Sequence, residues 1–140
     1  METNFLVRDV MTKNVKVVRE DTNLHEVIAT LSSFEINSLV VVQAKRPVGI
    51  ITTKDALVRG FEHGLPVTAI TAKMVASSPV TTIGEEASIQ EAAQLMKRSK
   101  IKHLPVVKNN KLVGILSDSD IMFAVPLMLS TMEEVCRPQK

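Results

Sequence analysis

The chain repeats itself. Displaced by 65 positions, the segment from Val15 to Leu57 aligns with the second half without a gap. Val15 falls on Val80, Glu20 on Glu85, Glu26 on Glu91, Ile36 on Ile101 and Leu39 on Leu104. Val41-Val42 falls on Val106-Val107, Val48-Gly49-Ile50 on Val113-Gly114-Ile115, and Asp55 on Asp120. Upstream, Met11 matches Met74 once two residues are inserted ahead of Val80. An internal duplication constrains the fold strongly, because both copies must support the same local structure.

Each copy reads as β-α-β-β-α. A short extended piece opens it, Val15 to Val18 or Val80 to Ile83. Asn23-Leu-His-Glu26 and Ser88-Ile-Gln-Glu91 follow as capping boxes, a polar N-cap with Glu three residues on. Apolar residues then recur at helical spacing: Leu24, Val27, Ile28 and Leu31; Ile89, Ala92, Ala93 and Met96. The runs Ser38–Val42 and His103–Val107 are apolar without alternation, as in strands covered on both faces. Polar turns at Gln43–Arg46 and Lys108–Lys111 lead to Val48–Ile51 and Val113–Leu116, which predicts antiparallel hairpins. A last helix starts at Thr52 or Ser117. In the first copy it is expected to stop near Gly60, a C′ glycine, before a linker from Phe61 to Pro66. The expected division is residues 1–65 for the first repeat and 66–140 for the second with its C-terminal helix. A unit of about 55 residues buries little alone, so the two repeats are expected to pack together.

Bulk properties exclude several classes. No apolar run approaches the roughly 20 residues of a membrane span. The start, METNFLVRDVM, is not a signal peptide. The single cysteine, Cys136, has no internal disulfide partner, which favours a reducing, cytoplasmic setting. The net charge is +2 and the pI about 8.8, with no Trp, no Tyr and four Phe. That argues against nucleic acid as a partner. Lys97, Arg98, Lys100 and Lys102 read as a solvated helix end.

Catalysis finds little support. Cys136 lies four residues from the C-terminus, and His25, His63 and His103 form no H-x-x-x-H pair. The expectation is a protein that is not an enzyme and holds no metal. Asp118 and Asp120 read as charges at a helix N-terminus.

The recurring strings Gly49-Ile-Ile-Thr-Thr-Lys-Asp55 and Gly114-Ile-Leu-Ser-Asp-Ser-Asp120 are the candidates for chemistry. Each joins a strand end to a helix N-terminus, where backbone N–H groups and the helix dipole favour anions. The hydroxyl can face a phosphate or ribose, and the Asp can accept from a vicinal diol. The same Thr52-x-x-Asp55 and Ser117-x-x-Asp120 spacing also makes a capping box that needs no ligand. Spacing alone leaves both readings open.

The C-terminal segment is apolar nearly all round: Ile121, Met122, Phe123, Val125, Leu127, Met128, Leu129 and Met132, with Pro126 interrupting or kinking it. It suits a helix packed between the repeats or a homodimer interface.

The sequence VRDVMT, the LPVV at Leu104 to Val107 and the two G-h-h-[ST]-x-x-D strings (h is apolar) resemble a tandem pair of cystathionine-β-synthase (CBS) domains, a Bateman module. The resemblance covers nearly the whole chain. It implies two α/β repeats packed through their sheets with pseudo-twofold symmetry, and clefts for adenosine-containing ligands. One cleft would combine Ile115, Ser117 and Asp120 with Thr12, Lys16, Ile36, Asn37 and Ser38, with Lys54 near a phosphate. The other would combine Ile50, Thr52 and Asp55 with Ser77, Thr81, Lys102, His103 and Pro105. Ile50 and Ile115 would flank adenine, Asp55 and Asp120 would hold ribose, and Lys102, His103 and Lys54 would donate to phosphates. Val40 stands where the second repeat has Pro105, so the two clefts are not expected to be equal, and the Asp55 cleft is expected to favour a phosphorylated ligand. The implied effector is AMP, ADP, ATP or S-adenosylmethionine. The implied protein is a cytoplasmic regulatory homodimer that acts on a separate protein, with no effector domain of its own. The rival reading is a structural or interaction module without a small-molecule ligand.

Overall fold

The computed structural model describes residues 5–136. In chain order the elements are α1 (Val7–Val10), β1 (Val17–Arg19), α2 (Leu24–Ser33), β2 (Ser38–Gln43), β3 (Arg46–Thr52) and α3 (Thr53–His63). They continue with α4 (Ala72–Val75), β4 (Ile83–Gly84), α5 (Ile89–Ser99), β5 (His103–Lys108), β6 (Lys111–Ser117) and α6 (Asp118–Cys136). The fold is mixed α/β with two three-stranded sheets, ordered β1-β2-β3 and β4-β5-β6. The expected β-α-β-β-α pattern is present in both repeats.

In the first sheet β1 runs parallel to β2, with α2 as the crossover, and β2 pairs antiparallel with β3 from Ser38↔Thr52 to Gln43↔Arg46. The turn residues Ala44 and Lys45 both have positive φ (51° and 67°), as do Asn109 and Asn110 (52° and 65°). Two left-handed residues in a row give the tight turn whose twist matches flanking strands. Asn tolerates this conformation well, whereas Ala and Lys are held in it by the strands on either side.

The helix starts divide into two kinds. Asn23 Oδ1 accepts the Glu26 N–H at 2.9 Å and Ser88 Oγ accepts the Glu91 N–H at 3.0 Å. In neither does the Glu side chain return the bond, so the two predicted boxes form only by half. At α3 and α6 the box closes in both directions, as the site geometry below describes.

Two other expectations need correction. Gly60 does not end α3: the helix continues to His63, and Gly64 takes the left-handed cap at φ 63°. Gly60 is buried because a Cβ there would lie 2.6 Å from Leu24 Cδ2. Its smallness serves helix packing. Ile28, placed by spacing on the buried face of α2, is 42% exposed. Further on, α6 runs through Pro126 without ending, since one missing N–H costs a long helix a single bond. The side chains of Leu127, Met128, Met132 and Cys136 lie outside the described residues.

The chain forms two compact units, and they are a different division from the repeats of the sequence. One unit comprises Asn14–Thr82 with Asn109–Leu112; the other takes the chain up to Lys13, Ile83–Lys108 and the chain from Val113. The first core gathers Leu24, Val27, Leu31, Leu39, Val41 and Ile51 with Ala72 and Val75 of α4. The second gathers Ile83, Ile89, Met96, Leu104, Val106 and Leu116 with Val7 of α1. So α1, at the start of the first repeat, belongs to the core of the second, and α4, at the start of the second repeat, to the core of the first. Backbone bonds tie these pieces in place. Val7 and Arg8 N–H groups donate to Ala87 and Glu85 carbonyls at 2.8 and 2.9 Å. Leu24 N–H donates to Ile70 O and Ala72 N–H to Thr22 O, both at 2.7 Å.

Val7 is wholly buried. Val7→Ala removes two methyl groups and leaves a cavity, an expected loss of about 2 kcal/mol. Urea unfolding checks this. An unchanged midpoint would show that the second core does not need α1.

Candidate functional site

The two [ST]-x-x-D strings fold alike. Thr52 Oγ1 accepts the Asp55 N–H at 3.1 Å, and Asp55 Oδ2 accepts the Thr52 N–H at 3.0 Å. Ser117 Oγ accepts the Asp120 N–H at 3.0 Å, and Asp120 Oδ2 accepts the Ser117 N–H at 2.9 Å. The capping alternative left open by the spacing is therefore realised in both repeats. It consumes one carboxylate oxygen each, and Oδ1 of either Asp accepts no hydrogen bond among the described residues.

Neighbouring segments are fixed against these corners. In the Asn14–Thr82 unit, Ile50 and Ser77 exchange backbone bonds at 3.2 and 2.9 Å. In the other unit, Thr12 and Ile115 exchange bonds at 2.9 and 3.0 Å. The segment that follows each short helix thus delivers Ser77 beside Ile50 and Thr12 beside Ile115, two juxtapositions that the resemblance implied. The strand starts are tied to the helix starts in the same way. Asn37 O accepts the Thr53 N–H at 2.9 Å and Lys102 O accepts the Asp118 N–H at 3.0 Å.

The units distribute the remaining predicted residues. Lys16, Ile36, Asn37, Ser38, Lys54 and Thr81 share a unit with Asp55, whereas Lys102, His103 and Pro105 share one with Asp120. Lys16 is engaged locally: its Nζ lies 4.1 Å from the centroid of the Phe34 ring, a cation–π contact. Lys54 is exposed in the first turn of α3.

The Val40/Pro105 difference has a backbone consequence. Val40 N–H donates to Lys16 O at 3.4 Å. Proline has no N–H, so Pro105 cannot make the equivalent bond to Thr81. The parallel strand β4 accordingly starts at Ile83 and has two residues, against three in β1. Thr81 is left outside the ladder.

Two features escaped the sequence reading. Arg59, one turn beyond Asp55 on α3, places Nε 3.8 Å from Asp55 Oδ1 and donates from Nη1 to Ala76 O at 2.9 Å. The i,i+4 spacing of Asp55 and Arg59 was its signal. An open apolar groove of about 860 Å³ also runs beside α2 and α3, lined by Ile28, Ile36, Leu57, Phe61 and Leu65 among others. Leu57, Phe61 and Leu65 recur every four residues, but reading Phe61–Pro66 as a linker hid the stripe. On α6, Met122 and Phe123 are 71% and 85% exposed.

Among the described residues no three His, Cys, Asp or Glu side chains could share a metal ion, and no helix is long and apolar enough to cross a membrane.

Comparison with known proteins places these observations. The family model for the CBS domain matches twice, over residues 7–61 and 72–127. An uncharacterized protein of Methanopyrus kandleri is 34% identical over 111 residues, 78% of this chain, and the aligned region spans 57% of that relative's length. Hypoxic response protein 1 of Mycobacterium tuberculosis is 27% identical over 94% of each chain. The crystal structure of Hypoxic Response Protein I, with two coordinated zinc ions, superposes at a TM-score of 0.78 over 85% of this chain and 98% of its own. The CBS domain pair of protein MJ0100, solved with 5′-methylthioadenosine and S-adenosyl-L-methionine, gives a TM-score of 0.80 at 24% identity, over 90% and 99% of the two chains. CBSX2 in complex with AMP gives 0.77 at 22% identity, over 89% and 98%.

Burial lowers the pKa of His103 below its usual value; Asp118 and Asp120 oppose that shift, and Lys102 reinforces it. A histidine depressed in the folded state binds its proton more readily when unfolded, so stability falls as pH drops below the unfolded value of about 6.5. The loss levels off once pH passes below the folded value. Melting temperature is expected to decrease between pH 7.5 and 5.5, and His103→Gln to flatten part of that decrease. An identical pH profile in the variant would remove His103 as a cause.

Proposed function

The chain belongs to the CBS domain family, and from that footing we propose that it is a regulatory module that binds an adenosine-containing ligand at the Asp55 and Asp120 corners. The observation that carries this reading is the carboxylate oxygen that each box leaves without a hydrogen bond. The box needs one acceptor oxygen at the third helix position, and both repeats place there an Asp whose second oxygen makes no hydrogen bond among the described residues. An anionic acceptor beside an aliphatic residue, Ile50 or Ile115, suits a ribose diol next to an adenine face. The adenosyl ligands of the MJ0100 pair and CBSX2 support the same ligand class.

In this reading Thr52 and Ser117 orient the ribose or first phosphate, and Ser77 and Thr12 line the corners beside them. Thr81, free of its strand ladder, offers its backbone to the base. Lys102, His103 and Lys54 supply cationic or neutral donors. The effector is AMP, ADP, ATP or S-adenosylmethionine, the protein works in the cytoplasm without catalysing a reaction, and its occupancy is read by a separate protein.

A second reading rests on a specific observation, the apolar groove along α2 and α3. Surfaces of this kind are used for association. A homodimer joined there is compatible with ligand sensing, whereas a module used only for association would ignore nucleotides.

A thermal-shift panel of AMP, ATP and S-adenosylmethionine separates the two. A ligand at about a hundred times its dissociation constant adds roughly 2.7 kcal/mol to the folded state, a shift of several degrees. Asp55→Ala and Asp120→Ala are each expected to cut that shift, beyond the about 0.5–2 kcal/mol that loss of a cap costs in baseline stability. Variants that lose baseline stability but keep the full ligand shift would leave the association reading standing.

A further inference from the structure

The two corners have the same backbone geometry and opposite charge. At α3, Asp55 is flanked by the cation Arg59, 3.8 Å from the oxygen that the box leaves unused, and by the exposed Lys54 next to it in sequence. Arg59 is held in place from its other end, because Nη1 donates to Ala76 O at 2.9 Å. Ala76 precedes Ser77, which is bonded to Ile50. One guanidinium therefore spans the carboxylate and the segment that lines the same corner.

The Asp120 corner has no counterpart. The position four residues on is Ala124, and Met122 and Phe123 precede it. Among the described residues no ion pair reaches Asp120. A second carboxylate, Asp118, sits two residues away, with its Oδ1 accepting from the Ser119 N–H at 2.8 Å. Lys102 and His103 lie nearby, but the Lys102 side chain is exposed and its carbonyl is what meets α6, while burial favours the neutral form of the His103 ring against the pull of Asp118 and Asp120.

A carboxylate accepts a hydrogen bond from a diol regardless of these neighbours, but a phosphate brought to the same corner feels them directly. Next to Asp118 and Asp120 a phosphate meets like charge. Next to Asp55 its repulsion is offset by Arg59. Like-charge contact in a partly desolvated site discriminates more strongly than a good contact attracts.

We propose that Arg59 is the specificity-determining residue that admits a phosphorylated nucleoside at the Asp55 corner, and that the Asp120 corner, lacking such a cation, takes the uncharged nucleoside. The inference rests on the nucleoside-binding reading above and assigns each corner its own ligand charge.

Isothermal titration with AMP and with adenosine tests it, each corner being read alone by weakening the other. In an Asp120→Asn background AMP is expected to bind about fivefold more tightly than adenosine. Adding Arg59→Gln removes that preference, while Arg59→Lys keeps most of it. In an Asp55→Asn background adenosine is expected to bind at least as tightly as AMP, with Arg59→Gln changing neither. Circular dichroism of each variant checks that it is folded. If Arg59→Gln weakens AMP and adenosine by the same factor, Arg59 is only a brace and the proposal falls while nucleoside binding stands. A preference for AMP in the Asp55→Asn background overturns it equally. If the unaltered protein binds neither probe, the nucleoside reading fails and takes this inference with it.

Discussion

Each core is closed by a helix that its own repeat does not supply. A three-stranded sheet in a repeat of this size still leaves apolar residues to cover beyond what its own two helices reach. Four residues, α1 in one case and α4 in the other, fill the gap from the lead-in to the opposite repeat. The exchange is not merely structural bookkeeping of the chain. The residues just after α1 and α4 are Thr12 and Ser77, and they reach Ile115 and Ile50 only because those helices are anchored where they are. Loss of Val7 from its core would loosen the Thr12–Ile115 contact beside Asp120 as well as a hydrophobic contact.

The corners show why capping and binding need not be alternatives. An Asp at the third position of a helix has two oxygens, and a reciprocal box with Thr or Ser occupies one. The bond fixes the side-chain rotamer, so the remaining oxygen is presented at low entropic cost. Pre-organisation of this kind lets a short surface string act as a recognition element. On the proposed reading, stability and affinity both respond to substitution of Asp55 or Asp120, and only their comparison separates the roles.

Much of this was legible in the sequence because duplication tests each local pattern twice. The strands Ser38–Gln43 and His103–Lys108, the hairpins and the helix starts all followed from apolar runs, turn residues and N-caps. The failures had tertiary causes. Gly60 looked like a helix end because glycine usually marks one, and nothing local reveals that Leu24 requires the absence of a Cβ there. Ile28 fits the buried stripe of α2 by spacing, yet it lines an open groove. The exchange of α1 and α4 was invisible, since four residues carry no periodicity. The closed boxes at Asp55 and Asp120 were visible in the spacing, and their equal standing with ligand binding was the limit of what spacing could decide.

The repeats also diverge where it matters for recognition. Pro105 withdraws an N–H that Val40 contributes, which shortens β4 and leaves Thr81 outside the sheet. Arg59 balances Asp55, while Ala124 leaves Asp120 bare. A duplication that kept its fold while changing single residues at the rim of each corner keeps one architecture with two differently charged rims. The backbone bonds that shape the corners are common to both, because they depend on the fold and not on the side chains that differ. Arg59 is half exposed and its two polar contacts are the Asp55 carboxylate and the Ala76 carbonyl, so its gain or loss changes the charge of one corner while the backbone bonds common to both corners remain.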